Sequence, residues 1–130
     1  MDATHIELNG SHIAAVTVAG DEVRIRFEPA YLLKSMTGSN ERTKWRQNGE
    51  LVFRGADLVE PLPALPADCQ GGDVGENVYT YRDMVPIPLN SRGRASCALA
   101  VGDGVIRVEA EAVELVMEDV PKYIEHLRPA

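Results

Sequence analysis

The sequence predicts an all-β fold, an antiparallel β-sandwich or squashed small barrel of about seven to nine strands. The first observation is that apolar residues alternate over 95–101 and again over 106–110. A two-residue turn at Asp103-Gly104 would place Val101 opposite Ile106, so one face of this hairpin is apolar. The second observation is that turn residues recur at intervals of about ten residues, which is typical of sandwiches and small barrels.

Composition limits the classes of protein to consider. The chain has 130 residues, which favours a single domain over 1–130, and 45% of them are hydrophobic. A net charge of −7 disfavours nucleic acid and anionic membranes as partners. No apolar run is long enough to span a membrane and the N-terminus lacks signal-peptide features, so we expect a cytoplasmic protein. Cys69 and Cys97 are expected to be free thiols, the first in a loop and the second in the core.

Asn9-Gly10 predicts the first tight turn, between a strand ending at Leu8 and a strand over 12–18. In the resulting hairpin, Glu7 lies opposite His12. This register brings two imidazole-bearing residues and a carboxylate into one neighbourhood.

Gly20-Asp21 predicts the second turn, with Val18 opposite Val23. The apolar phase slips between Ile13 and Val16, which predicts a bulge or bend in that strand. Both the turn and the bulge are predicted from the local alternation of apolar residues.

The middle of the chain is predicted to hold a hairpin followed by a long loop. Strands over 42–47 and 50–59 are expected to meet at Asn48-Gly49. Residues 61–77 are rich in Pro, Gly and Asp, and they are interpreted as a loop.

Prolines and phase slips define the remaining elements. Pro29 indicates an edge or corner, and Pro86 with Pro88 indicates an edge strand. A second slip near Glu111-Ala112 predicts a bulge or sharp bend. Residues 121–127 fit either one helical turn or a terminal strand, and we favour a short C-terminal helix.

Turn and core segments follow one another in a recognisable order. They are Leu8–Ile13, Val23–Phe27 with Ala30-Tyr31, Trp45–Gln47 with Leu51–Phe53, Val85–Leu89, Gly102–Gly104 and Tyr123–Glu125. This order resembles a family of small bacterial all-β proteins of unknown function, over nearly the whole chain. The resemblance implies the fold and no activity. Family members often carry a His-Asp pair before the serine, where this chain has Asn9 and Gly10.

His5, Glu7 and His12 are the candidate metal ligands, because the predicted first hairpin brings them close together. Zinc sites need three or four such ligands. The alternative interpretation is an exposed cross-strand pair of His12 with Glu7.

Arg42, Lys44, Arg46 and Arg54 are the candidate anion-binding residues. The first three alternate along a strand and therefore share a face, while Arg54 is expected on the partner strand. Such a patch binds phosphate, single-stranded nucleic acid or an acidic partner. The alternative interpretation is a solvated strand surface with Trp45 in the core.

The sequence carries no catalytic-triad signature, paired catalytic carboxylates or cofactor fingerprint, so enzyme activity is disfavoured and no cofactor is predicted. We expect a binding or interaction module of a bacterial cytoplasmic protein, of immunity or accessory type. It would act on a protein partner or by self-association, with a homodimer among the options. A metal-binding protein or small enzyme and an anionic-ligand binder remain the alternatives.

Overall fold

A computed structural model describes residues 3–128, and this part of the chain is all-β, as predicted, with antiparallel pairing throughout. The strands are β1 (Ala3–Glu7), β2 (His12–Ala19), β3 (Glu22–Ser35), β4 (Arg42–Arg54), β5 (Asp57–Leu58), β6 (Ala67–Glu76), β7 (Tyr79–Arg82), β8 (Met84–Ile87), β9 (Asn90–Val101), β10 (Gly104–Met117) and β11 (Lys122–Leu127). These eleven strands exceed the predicted seven to nine. Residues 3–128 contain no helix that could cross a membrane.

Six strands close into a barrel in the order β2-β3-β4-β10-β9-β6, with β6 returning to β2. Closure settles the choice between the two predicted architectures in favour of the barrel. The interior is filled by side chains from alternate positions of each strand, and Ile25, Phe27, Phe53, Leu99 and Ile106 are fully buried. Their burial supplies the main driving force for folding.

An outer sheet extends from the barrel along β3 and β4. Beyond the barrel these two strands continue to pair with each other, and β1 with β8 adds on one side while β11 adds on the other. We call this five-stranded part, in the order β8-β1-β3-β4-β11, the outer sheet. The prediction that Pro86 marks an edge strand is confirmed, because β8 lies at the end of the sheet.

The local predictions for β2 and β3 are confirmed. Val18 pairs with Val23 around the turn at Gly20-Asp21, and the register shifts between Ile13 and Ala15, where a bulge is expected. Likewise, the second predicted slip appears in β10 as a shift between 110 and 112. Short hairpins and bulges depend on neighbouring residues, which is why alternation alone locates them.

The predicted hairpin of β1 with β2 is wrong, because both strands pair with β3 instead of with each other. β1 lies along Tyr31–Ser35 and β2 along Glu22–Phe27, both on the side of β3 opposite β4, so the chain continues in the same direction through 8–11 without reversing. The buried side chain of Ser11 holds this step, since its hydroxyl donates to the Glu7 carbonyl and accepts the amide of Tyr31.

The predicted turn at Asn48-Gly49 is also wrong, because β4 is one continuous strand. Gly49 pairs with Phe27 on one side and Met117 on the other. A Cβ at Gly49 would lie 2.7 Å from the sulfur of Met117. Glycine is therefore used here for close packing against a remote residue and not for a chain reversal.

The predicted loop over 61–77 is largely replaced by β6 over Ala67–Glu76, which pairs with β2, β7 and β9. Gly71 and Gly72 lie at a register shift between Cys69 and Gly72, and Gly72 permits close approach to β9. Cys69 is therefore buried in a strand, contrary to the loop prediction, and its burial raises the pKa of the thiol. Cys97 is buried as predicted, and burial raises the pKa of its thiol to about 12.

Two further expectations need correction. The favoured C-terminal helix is absent, because residues Lys122–Leu127 form β11 along the open edge of β4. The β9–β10 turn lies at 102–103 and not at 103–104, so Val101 pairs with Gly104. The predicted apolar face survives this correction because the two registers differ by an even number of residues.

Substitution of Gly72 tests the close approach of β6 to β9. Gly72 has φ +142°, and a Cβ there would lie 2.1 Å from the carbonyl oxygen of Ala98. We expect Gly72→Ala to lower the free energy of unfolding by about 3 kcal/mol or more, through backbone strain and overpacking. Gly38→Ala is the matched control, because Gly38 also has positive φ but no atom lies within 4 Å of its Cβ position.

Urea denaturation followed by circular dichroism measures both variants. Gly38→Ala is expected to cost about 1 kcal/mol from backbone strain alone. Equal losses in the two variants would contradict the packing of β6 against β9.

Candidate functional site

Three cations of β4 lie on one face of the outer sheet. Tyr31 pairs with Arg46 and Leu33 pairs with Lys44, and directly paired residues of antiparallel strands share a face. Arg42 lies two residues before Lys44 and projects from the same face. We call Arg42, Lys44 and Arg46 the cationic row.

The cationic row forms no ion pair within the described residues 3–128, since no carboxylate lies within 4.0 Å of any of its members. The Lys44 ammonium contacts an aromatic ring instead, with Nζ 4.7 Å from the centroid of Tyr31. In contrast, five arginines on the barrel strands and β7 are paired with carboxylates: Arg24, Arg26, Arg54, Arg82 and Arg107. Within residues 3–128, Arg92 and Arg94 on β9 have no such partner. The row therefore keeps its positive charge available to a ligand.

A shallow depression of about 450 Å³ lies beside the row. It is lined by Tyr31, Lys44 and Arg46 from the two central strands, and by Tyr123 and Ile124 from β11. The depression is open to solvent along the sheet, which suits an extended ligand better than an enclosed small molecule. The Tyr31 ring beside unpaired cations gives the surface both apolar and charged contacts.

Trp45 lies on the opposite face of the outer sheet and packs against the hydrophobic core. Its indole N–H donates to the Thr43 hydroxyl at 2.8 Å, and its ring contacts Tyr123 edge-on with centroids 5.3 Å apart. The ammonium of Lys34 lies 4.1 Å from the centroid of the indole ring. These contacts fix β11 against β4 and so hold the rim of the depression.

Arg54 does not belong to the row, because it lies at the other end of the same strand and not on a partner strand. Eight residues separate it from Arg46, which corresponds to about 26 Å along a strand. Its guanidinium lies 3.0 Å from a carboxylate oxygen of Glu114 and 3.6 Å from one of Glu22. Arg54 therefore forms ion pairs on the barrel surface and does not contribute an unpaired charge to the site.

The three candidate metal ligands are separated by the loss of the predicted hairpin. His12 pairs with Asp68 on β6, and its Nδ1 lies 2.7 Å from the carboxylate oxygen. His5 and Glu7 lie on β1 in the outer sheet. Within residues 3–128 no group of three or more His, Cys, Asp or Glu side chains could hold a metal ion.

His5 and Glu7 instead face the same side as the cationic row. Glu7 pairs with Tyr31, and His5 pairs with Leu33, which in turn pairs with Lys44. Burial lowers the pKa of His5, the Glu7 carboxylate opposes this effect and the Arg42 guanidinium lowers the pKa further. The imidazole therefore senses the charge of the row.

Sequence reasoning missed two members of this surface, Tyr31 and Lys122. Both lie directly opposite Arg46, one on β3 and the other on β11. Neither is near the row in the sequence, so only the strand register reveals them. The alternation of Arg42, Lys44 and Arg46 was the one local signal for the site.

Titration of His5 tests the electrostatics of this face. We expect its pKa, measured by NMR of the ring protons, to lie below the ordinary 6.5. Arg42→Gln should raise that pKa, because it removes a nearby positive charge, and Glu7→Gln should lower it further. Arg107→Gln on β10 is the control and should leave it unchanged. A lower pKa of His5 in Arg42→Gln, a higher one in Glu7→Gln, or equal shifts in all three variants would contradict the arrangement.

Comparison of the chain with protein-family models, curated proteins and solved structures finds no match. The resemblance to a bacterial all-β family and the cytoplasmic location therefore stay predictions.

Proposed function

We propose that the protein is a binding module that captures an extended acidic segment of a protein partner on the cationic row. The observation that carries the proposal is that Arg42, Lys44 and Arg46 project side by side without a carboxylate partner. Arg42 and Arg46 are exposed and Lys44 is half-buried, so their charges are accessible to a ligand without any change in the fold.

The unpaired cations of the row lie in a chain that has an excess of carboxylates. The chain has 20 acidic and 13 basic residues, so carboxylates outnumber cations. One arginine can contact two carboxylates: Arg26 contacts Glu28 and Glu118, and these hydrogen bonds raise the pKa of its guanidinium. All three lysines, Lys34, Lys44 and Lys122, lie on the outer sheet instead. Positive charge is concentrated there, on a molecule whose net charge is negative.

The spacing of the row matches an extended peptide. Alternate residues of a strand repeat every ~6.6 Å, and a bound extended segment has the same repeat. Carboxylates at alternate positions of such a segment can therefore align with all three cations at once. The ring of Tyr31, which lies on the same face as the row, offers apolar contact to the intervening side chains.

Exposed ion pairs are weak, so the expected affinity is modest. Each contributes ~0.2–1 kcal/mol at ordinary salt, and aromatic contacts add to this. Three such pairs and one aromatic contact give a dissociation constant on the order of 1 mM, and it increases with ionic strength.

Fluorescence anisotropy with a labelled peptide of alternating glutamate and serine tests the proposal. Lys44→Ala/Arg46→Ala should weaken binding by about tenfold, since two ion pairs and the Tyr31 contact are lost. Arg92→Ala/Arg94→Ala is the matched control, because it removes the same charge from β9, where neither arginine has a carboxylate partner among the described residues. It should change the dissociation constant by less than about twofold.

The alternatives give different results in the same assay. Equal losses in both double variants would mean that net charge, and not the row, governs binding. Tighter binding of a single-stranded oligonucleotide than of the peptide would overturn the assignment of ligand class. A glutamine-serine peptide that binds as well as the acidic one would exclude recognition by charge.

A further inference from the structure

The outer sheet has two edges, and they differ in chemistry. β8 forms one edge and carries Pro86, with Pro88 just beyond it. Proline has no amide hydrogen, so this edge is protected from pairing with another strand. β11 forms the other edge, pairs only with β4 and contains no proline. Within residues 3–128 no strand lies against its outer side.

β11 is also exposed along nearly its whole length. Five of its six residues are exposed, and they include two large hydrophobic side chains, Tyr123 at 55% and Ile124 at 40%. Val120, just before the strand, is 76% exposed. An open strand edge with apolar side chains is a site at which a further strand can add to a sheet.

The charges of β11 are complementary to those of a second β11. Lys122 pairs with Arg46 and Glu125 pairs with Lys44, so both lie on the face of the cationic row despite the register shift between them. Neither forms an ion pair within the described part of the chain. In an antiparallel pair of identical strands, a two-fold axis between 123 and 124 places each Lys122 opposite the partner's Glu125.

We propose that the protein forms a two-fold symmetric dimer in which β11 pairs antiparallel with β11 of a second copy. The pairing supplies partners for the backbone amides and carbonyls of the open edge and for two unpaired charges in each copy. Tyr123 and Ile124 then lie at the centre of the contact, where their apolar surface is covered.

The two outer sheets become one continuous sheet in this dimer. The two-fold axis runs perpendicular to the sheet, so the cationic rows of both copies face the same side. The dimer does not require the acidic ligand proposed above, and its formation is measured without any ligand.

Charge exchange at the two positions tests the dimer by sedimentation velocity over a range of protein concentrations. Lys122→Glu alone and Glu125→Lys alone each place like charges opposite one another twice. Each should raise the dissociation constant of the dimer by about tenfold. The double exchange Lys122→Glu/Glu125→Lys restores both pairs and should restore the parent dissociation constant.

Mixing the two single variants gives a sharper test. A chain with Lys122→Glu meets a chain with Glu125→Lys in complementary register, so we expect a heterodimer as tight as the parent dimer. Native mass spectrometry with one isotope-labelled variant identifies it. Arg82→Glu on β7 is the control, since its side chain is 78% exposed and lies on a different strand pair. It should leave the dimer unchanged.

Several results would overturn the proposal. They are a parent protein that stays monomeric at all concentrations, single variants that dimerise as the parent does, and a mixture that forms no heterodimer. Circular dichroism spectra identical to that of the parent confirm that each variant is folded.

Discussion

The pairing of β3 with β4 over their whole length is the constraint on which the rest of the structure depends. At one end Val23 pairs with Phe53 inside the barrel, and at the other Ser35 pairs with Arg42 in the outer sheet. Because one strand pair serves both parts, the barrel cannot close without fixing the position of the outer sheet. The hydrophobic core that holds the barrel therefore also sets the register of the cationic row.

The strand pair must bend where the two parts meet, and small residues make this bend feasible. The register of β3 with β4 shifts between Phe27 and Ala30, and Gly49 opposite Phe27 gives Met117 room to approach. On the other side of β3, the buried hydroxyl of Ser11 satisfies two backbone groups where β1 gives way to β2. A buried backbone group left without a partner at this step would destabilise the fold by more than a typical hydrogen bond stabilises it.

Sequence reasoning succeeded where structure is local and failed where it depends on remote partners. The Gly20-Asp21 turn and the bulge after Ile13 follow from neighbouring residues, and both were predicted correctly. Gly49 and Gly72 were interpreted as turn and loop residues, yet each serves close packing against a distant strand. For the site, alternation identified three cations on one face, but Tyr31 belongs to it through strand register alone. Arg54 was misassigned because the continuity of β4 has no local signature.

Both the fold and the site depend on β4 being one strand that carries the cationic row away from the barrel. Trp45, the single tryptophan of the chain, reports on this directly by nuclear Overhauser effects. We expect backbone contacts of Trp45 with its register partner Leu32, and ring contacts with Tyr123. A local hairpin around 48–49 would instead place Trp45 opposite Val52. Contacts of Trp45 with Val52 and none with Leu32 would contradict the fold and the site together.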